Sequence, residues 1–252
     1  MKFVRRVAII FLPVVVLAFA FGCKSGTSKE DELLDQLANL DKETIFEQAE
    51  ALYSEKEYQK ARELFAFVYD SFPNDPMGHK AALRVADTFS AKNDVTNLTE
   101  ARLRYRDFAN RYPNDPDRDY ALLMVGHTYS ARKLRPDRDL SDIHEALSAY
   151  EQLINLYPNS KYLPEANSRI KALNELLAEH DWIVGQFYQR NKRYEGALSR
   201  FQYIQENYPN YSKFDAVNAK ISELESLIEE RNAAWKKRLE ELRKKTGDKT
   251  ED

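Results

Sequence analysis

Small, aromatic and proline positions recur along this chain at a spacing that repeats four times. In each copy an alanine is followed four residues later by an aromatic residue and 12 residues later by a proline. An aromatic residue precedes that proline, and an asparagine follows it. The copies run from Ala61 to Asn74, from Ala101 to Asn114, from Ala146 to Asn159 and from Ala197 to Asn210. A constant interval of this length indicates a repeated structural unit.

A second small residue precedes each of these alanines and predicts a partner helix. Ala49 and Gly185 lie 12 residues before the first and fourth alanine, whereas Ala86 and Gly126 lie 15 and 20 residues before the second and third. Small residues let two antiparallel helices approach closely, and the proline ends the second helix because it has no N–H group to donate. The spacing matches the tetratricopeptide repeat (TPR). We therefore predict an all-α TPR solenoid with four clear helix pairs.

Besides the insertion of three residues in the second pair, three larger departures from the spacing stand out. In the third pair, residues 132–139 form a charged insertion, which predicts a loop that is either a contact surface or a solvated spacer. In the fourth pair, Pro164 starts an uninterrupted helical pattern of about 28 residues. Residues 214–245 contain no Gly or Pro and carry apolar residues at helical spacing. They predict a long C-terminal helix whose first half caps the fourth repeat and whose second half projects.

The N-terminus has the pattern of a secretory signal. Three basic residues precede an uncharged apolar run over residues 7–21, which is shorter than the stretch of about 20 residues that spans a bilayer as a helix. The run ends in Ala20-Phe21-Gly22-Cys23, which resembles the bacterial lipobox. We predict that Cys23 is lipidated; the alternative is an ordinary signal peptide followed by an unrelated cysteine.

These patterns divide the chain into five segments. They are a lipoprotein signal peptide (residues 1–22), a lipidated N-terminus and flexible tether (23–40), the TPR solenoid (41–212), the long C-terminal capping helix (213–246) and a disordered polar tail (247–252).

Composition and motifs argue for a binding protein rather than an enzyme. The net charge of −3 and the periodic placement of the aromatic residues disfavour a nucleic-acid partner. A single cysteine excludes a disulfide framework within the chain and a metal site built on cysteines. The four histidines have no zinc spacing, and no Gly-rich phosphate loop or G-x-S-x-G motif is present. We expect no catalytic residue, no metal and no cofactor.

The first helix of each pair is expected to line the concave, binding face of the solenoid. TPR geometry directs two side chains of that helix into the groove, three residues before and one residue after its small position. Those positions hold Phe46, Glu50, Leu83, Asp87, Leu123, His127, Trp182 and Gln186, with Tyr53 and Lys80 nearby. An apolar and acidic groove suits an extended peptide with aromatic side chains. The alternative is that the apolar residues pack between repeats; it remains open for Leu83 and Leu123, whereas Phe46 and Trp182 favour binding.

The features from Cys23 to about Tyr211 together resemble the YfiO/ComL (BamD) family of outer-membrane protein assembly lipoproteins. The resemblance rests on the lipobox cysteine, the short tether, the four repeats, the loop and the extended helix. Three segments resemble the family most: Pro136-Asp137-Arg138-Asp139, Tyr157-Pro158-Asn159-Ser160-Lys161-Tyr162, and His180-Asp181-Trp182 leading to Phe187-Tyr188.

The resemblance implies a lipid-anchored component of the β-barrel assembly (Bam) machinery, with five TPRs on the periplasmic face of the outer membrane. It implies N-terminal repeats that receive unfolded outer-membrane proteins through a C-terminal aromatic signal. It implies C-terminal repeats that hold a POTRA domain of a BamA-like barrel insertase, beside other Bam lipoproteins. The implied substrate-facing residues are Phe46, Glu50, Tyr53, Leu83 and Asp87. The implied partner-facing residues are Arg135, Asp137, Arg138, Asp139, Trp182 and Arg200.

One departure from the family and one alternative function accompany this resemblance. Residues 214–245 show no helical break where a fifth repeat should turn. The alternative function is a periplasmic TPR scaffold for other cell-envelope or peptidoglycan machinery.

Overall fold

The computed structural model of this chain describes residues 39–131, 135–137 and 139–246. The signal peptide, Cys23, most of the tether, Arg138 and the polar tail lie outside the described residues. The described residues from Lys42 onward belong to one compact unit.

Within these ranges the chain forms nine α-helices and no strand. The helices are α1 (Lys42–Ser54), α2 (Tyr58–Ser71), α3 (Pro76–Ser90), α4 (Val95–Arg111), α5 (Arg118–Ser130), α6 (Ser141–Leu156), α7 (Leu163–Arg190), α8 (Tyr194–Asn207) and α9 (Phe214–Thr246). Each helix packs mainly against its neighbours in sequence, as expected for a helical repeat. The predicted all-α TPR class is therefore confirmed.

The small residues sit where the two helices of a pair cross. Gly126 and Gly185 approach the aromatic rings of their partner helices so closely that an added Cβ would lie 2.4 Å from Tyr150 and 2.8 Å from Phe201. In the first two pairs alanines occupy the crossing. The aromatic residue of every copy of the signature is fully buried: Phe65, Tyr105, Tyr150 and Phe201. The crossing therefore places one large ring in the core of each pair.

The aromatic residue before each signature proline ends the second helix of its pair. Its N–H still donates to the carbonyl four residues earlier, as Tyr157 does to Leu153. The following proline cannot make the next such bond. The next helix starts a few residues later; Asp75, for example, caps α3 by accepting a 2.8 Å hydrogen bond from the Met77 N–H group. Helix pairs thus follow one another after short turns.

The two long helices form where the sequence pattern predicts them. Helix α7 has 28 residues and begins with Pro164 in its first turn. Helix α9 has 33 residues, and its first half buries Val217, Ile221 and Leu224 with the fourth repeat. No turn interrupts α9, so the described residues complete four helix pairs and not the five that the family resemblance implied. Among the described helices, none has the length and apolarity needed to cross a bilayer.

Gly126→Ala tests whether the crossing depends on the absence of a Cβ. We expect the variant to lose about 1–2 kcal/mol of unfolding free energy, because the Tyr150 ring is buried and cannot move aside. The higher helix propensity of alanine offsets only part of this loss. Urea unfolding monitored by circular dichroism measures the difference.

Gly196→Ala is the matched control, since a Cβ there would meet the Tyr188 ring at an ordinary 3.5 Å. This variant should be neutral or more stable by up to about 1 kcal/mol. Equal stability of the two variants would contradict the proposed role of the crossing.

Candidate functional site

Arg84 of α3 lies between two carboxylates on the first helices of repeats one and two. It donates from Nε to Glu50 Oε1 at 2.7 Å and from Nη2 to Glu50 Oε2 at 2.5 Å. It also donates from Nη1 to Asp87 Oδ2 at 2.7 Å. This forked geometry gives strong, oriented bonds. Burial would lower the pKa of Arg84, but its bonds to both carboxylates outweigh burial and raise it.

Asp87 extends this cluster to the second and third repeats. Its side chain is buried, with 5% of the residue exposed, and Oδ1 accepts from the hydroxyls of Tyr105 at 2.5 Å and Tyr120 at 2.8 Å. Burial and the Asp87 charge raise the pKa of both tyrosines, so both remain protonated donors. A network of side chains thus joins α1, α3, α4 and α5. We call Glu50, Arg84, Asp87, Tyr105 and Tyr120 the arginine cluster.

Only some of the predicted groove residues reach the surface. Tyr53 is partly exposed and stacks on the Arg84 guanidinium, whose carbon lies 4.1 Å from the ring centroid. Burial, followed by the Asp87 charge, raises the pKa of Tyr53. Phe46 is only 6% exposed and packs edge-on against Phe65 at 5.2 Å, and Leu83 lies in the core.

The structure corrects the predicted character of the groove. Both acids, Glu50 and Asp87, are paired with Arg84, which neutralises part of the negative charge expected on this surface. Glu50 and Tyr53, with exposed Lys80 nearby, remain accessible, whereas Phe46 and Leu83 pack between helices. In the third repeat Leu123 is likewise buried. Burial lowers the pKa of His127, whose Nε2 lies 3.2 Å from Glu165 but outside hydrogen-bond geometry.

Two described residues of the loop in the third pair, Pro136 and Asp139, accept hydrogen bonds from the neighbouring helices α7 and α6. The Pro136 carbonyl accepts a 2.5 Å hydrogen bond from His180 Nδ1 on α7. Asp139 Oδ1 accepts from the N–H of Ser141 at 2.9 Å and from its hydroxyl at 2.7 Å, next to the start of α6. Arg138 lies outside the described residues. This segment is therefore attached to the neighbouring repeat at Pro136.

Besides Asp139, the described part of this loop carries the exposed charges Arg135 and Asp137, and a further exposed charge, Arg200, lies on α8. Arg135 makes a two-pronged pair with Asp137, with both N–O distances at 2.9 Å. Arg200 of α8 donates to the buried Asp181 at 2.9 Å. His180 and Asp181 are adjacent on α7, so consecutive residues hold Pro136 and Arg200. These contacts place the loop and Arg200 beside the same segment of α7.

Trp182, predicted to face a partner, lies in the core of the fourth repeat. It is 9% exposed, and its ring packs edge-on against Phe201 at 5.2 Å. It also lies 6.5 Å from the Tyr211 ring. Its role in this structure is to support the α7 segment that carries Asp181.

Arg84 is the central residue that the sequence analysis missed. The available signal was its spacing, because Arg84 lies three residues before Asp87 on one helix face. Its second partner, Glu50, is 34 residues earlier, which is the length of one TPR unit. His180 and Asp181 were noted only as part of a resembling segment. Among the described residues, no group of three His, Cys, Asp or Glu side chains could hold a metal ion.

Arg84→Met tests whether the cluster depends on its cation. Removing one partner leaves the buried Asp87 carboxylate with only its two tyrosine donors, and we expect a loss of about 2 kcal/mol in unfolding free energy. Asp87→Asn in the Arg84→Met background should recover part of this loss, because the uncompensated charge is then gone. A double-mutant cycle by urea unfolding measures the coupling. Strictly additive losses would contradict a charge pairing between the two residues.

The family model and the related proteins that match this chain all point to the same family. The model of the YfiO family, described as outer membrane lipoprotein, matches residues 38–239. The "Outer membrane protein assembly factor BamD" of Rickettsia prowazekii is 26% identical over 74% of this chain and 71% of the relative. The protein of that name from Neisseria meningitidis serogroup A is 25% identical over 77% of this chain and 74% of its own length.

A shorter alignment shows higher identity. The Vibrio cholerae protein, also named outer membrane protein assembly factor BamD, is 37% identical over 76 residues, which cover 30% of this chain and 32% of that relative. Because the family model covers most of the chain, including all four helix pairs, this protein belongs to the YfiO family of outer membrane lipoproteins.

Proposed function

We propose that this protein is an outer-membrane protein assembly factor, a lipoprotein of the Bam machinery that scaffolds a BamA-like insertase and engages unfolded outer-membrane proteins. The observation that carries the proposal is the family match across the whole repeat array. The names of the relatives aligned over 74% and 77% of this chain support it. An array of helix pairs offers side-chain surfaces rather than a reaction centre, which agrees with a scaffold.

In this proposal the protein is held at the periplasmic face of the outer membrane by lipid on Cys23. The family description as an outer membrane lipoprotein supports such an anchor. More than one acyl chain on a single residue meets the requirement for stable attachment, which one chain alone does not.

The substrate side of the proposal is the surface around the arginine cluster. Glu50 and Tyr53 present a carboxylate and a ring to solvent, and Arg84 holds both in position. Phe46, Leu83 and Asp87 support that surface from below, since all three are buried. Because Arg84 is already bonded to two carboxylates, little ordering is required when an extended peptide with aromatic side chains binds.

The partner side of the proposal is the loop of the third repeat and the adjacent part of the fourth. Arg135, Asp137, Arg138 and Asp139 supply charges on the loop, and Arg200 supplies one on α8. Trp182 acts indirectly, because its packing on Phe201 fixes the turn of α7 that carries Asp181, the partner of Arg200. We propose that a POTRA domain of the insertase binds this surface and that other Bam lipoproteins join the complex.

Tyr53→Ala tests the substrate side. The full-length protein in detergent should bind a fluorescent peptide with the C-terminal residues of an outer-membrane β-barrel, and Tyr53→Ala should weaken binding about tenfold. Tyr203→Ala is the control, because Tyr203 is an exposed tyrosine on α8, away from the arginine cluster. Fluorescence anisotropy gives both affinities, and circular dichroism checks folding. Equal affinities of the two variants would remove Tyr53 from the binding surface.

Affinity purification from detergent-solubilised envelopes tests the complex and the partner side. The wild-type protein should recover a barrel protein with POTRA domains. The double swap Arg135→Asp/Asp137→Arg keeps the local pair and the net charge but inverts its direction, so it should reduce recovery severalfold. The matched control is Glu57→Lys/Lys60→Glu, which inverts an exposed pair at the start of α2.

Two outcomes would contradict the proposal. Recovery of no such barrel by the wild-type protein would contradict the assembly function itself. Equal recovery by the two swapped variants would contradict only the role of the loop.

A further inference from the structure

The second half of α9 carries an apolar stripe that faces solvent. Trp235 is 58% exposed and Leu239 is 38% exposed, and residues four apart lie on one face of a helix. Leu242 continues the same line. Every residue from Glu229 to Lys245 is exposed. This half of the helix therefore differs from the first half, whose apolar residues pack on α8.

The charges of this segment are sorted around the stripe. Residues 235–245 contain six Lys or Arg and two Glu, a net charge of +4 in a chain whose total is −3. At about 100° per residue, Lys236 and Arg238 fall on the two sides of Trp235, roughly 100° and 60° away. Glu240 and Glu241 fall on the opposite half of the helix, more than about 110° from Trp235. Lys236 and Arg238 thus border the apolar stripe, and both acidic residues lie behind it, together with Lys237 and Lys244.

This arrangement argues against two other occupants of the stripe. A second copy of the chain would bring one +4 segment against another, which like charges disfavour. A partner helix in a coiled coil needs an apolar seam of about three to four heptads, whereas residues 235–242 span about one. The stripe fits a surface that contributes negative charge and needs only a few apolar side chains.

We propose that the second half of α9 lies on an anionic phospholipid surface. In this arrangement Trp235 and Leu239 enter the headgroup level, where an aromatic ring with a polar N–H is favoured. Lys236 and Arg238 reach lipid phosphates on the two sides while their aliphatic stems cover the stripe. The segment would lie on the bilayer rather than span it, as basic amphipathic helices do.

This inference goes beyond the proposed function, because it requires neither an insertase nor a substrate. Polybasic segments add to lipid anchors as a second attachment signal. Two attachment points would restrict how the repeat array can turn about its anchor.

The test uses the full-length protein reconstituted in vesicles, with its own two tryptophans as probes. Trp182 is buried, so lipid-borne quenchers reach only Trp235. In vesicles of phosphatidylethanolamine and brominated phosphatidylglycerol, we expect the Trp235 emission to be largely quenched. In brominated phosphatidylcholine vesicles it should remain largely unquenched, because the anionic charge is missing. Trp235→Phe should show no quenching in either lipid and identifies the signal.

Two double variants separate the sorted arrangement from overall charge. Lys236→Glu/Arg238→Glu reverses the charges that border the stripe and should abolish quenching. Lys237→Glu/Lys244→Glu changes the net charge equally on the far side of the helix, about 160–180° from Trp235, and should retain it.

Three results would overturn the inference. They are no quenching of the wild-type protein in anionic vesicles, equal quenching in both lipids, and equal loss in both double variants. Absence of quenching in pure lipid, with protection of Trp235 only in a purified complex, would assign the stripe to a protein partner. The envelope purification described above is independent of these results, so either proposal can fail alone.

Discussion

The close crossing of two helices at a residue with little or no side chain is the constraint on which this structure depends. At Gly126 and Gly185 there is no room for a Cβ, because a buried ring from the partner helix occupies that space. The ring fills the core of its own pair, and each helix otherwise packs mainly against its neighbours in sequence. Stability in such an array is close to a sum of local terms. The faces that the crossing leaves uncovered are therefore free to carry function.

The arginine cluster adds a second constraint that crosses repeat boundaries. Through Arg84 and Asp87, four helices of the first three repeats share one set of hydrogen bonds. A partly buried ion pair contributes little net stability, because desolvation offsets much of the attraction. Once it is present, however, every member depends on the others. Its effect here is to hold Glu50 and Tyr53 at the surface in a defined arrangement, which a peptide-binding face requires.

The repeat, the long α7 and the uninterrupted α9 could be predicted because each follows from local spacing. The pairing of Arg84 was missed, because the spacing of Glu50, Arg84 and Asp87 permits a contact but does not show that one guanidinium reaches both carboxylates. Phe46 and Trp182 were expected at the binding face, yet each packs edge-on against the core ring of its own pair. Large rings near a helix crossing tend to be drawn into it, since burial favours them.

The contact between His180 and Pro136 spans 44 residues and follows no period. Cys23, Arg138 and the boundaries of the terminal segments stay predictions.

The two helices that exceed the repeat length, α7 and α9, differ in whether the extra length packs against other helices. The length of α7 places His180 and Asp181 where they hold the loop of one repeat and Arg200 of the next. The length of α9 carries its apolar stripe beyond its contacts with α8, and every residue from Glu229 to Lys245 is exposed. Because contacts in the array are local, such an extension adds a surface without disturbing the crossings that stabilise the pairs. The packed extension gains rigidity for a protein interface, whereas the exposed extension keeps apolar and basic side chains at the surface. The same fold can in this way supply a rigid surface for a folded partner and an amphipathic surface for a bilayer.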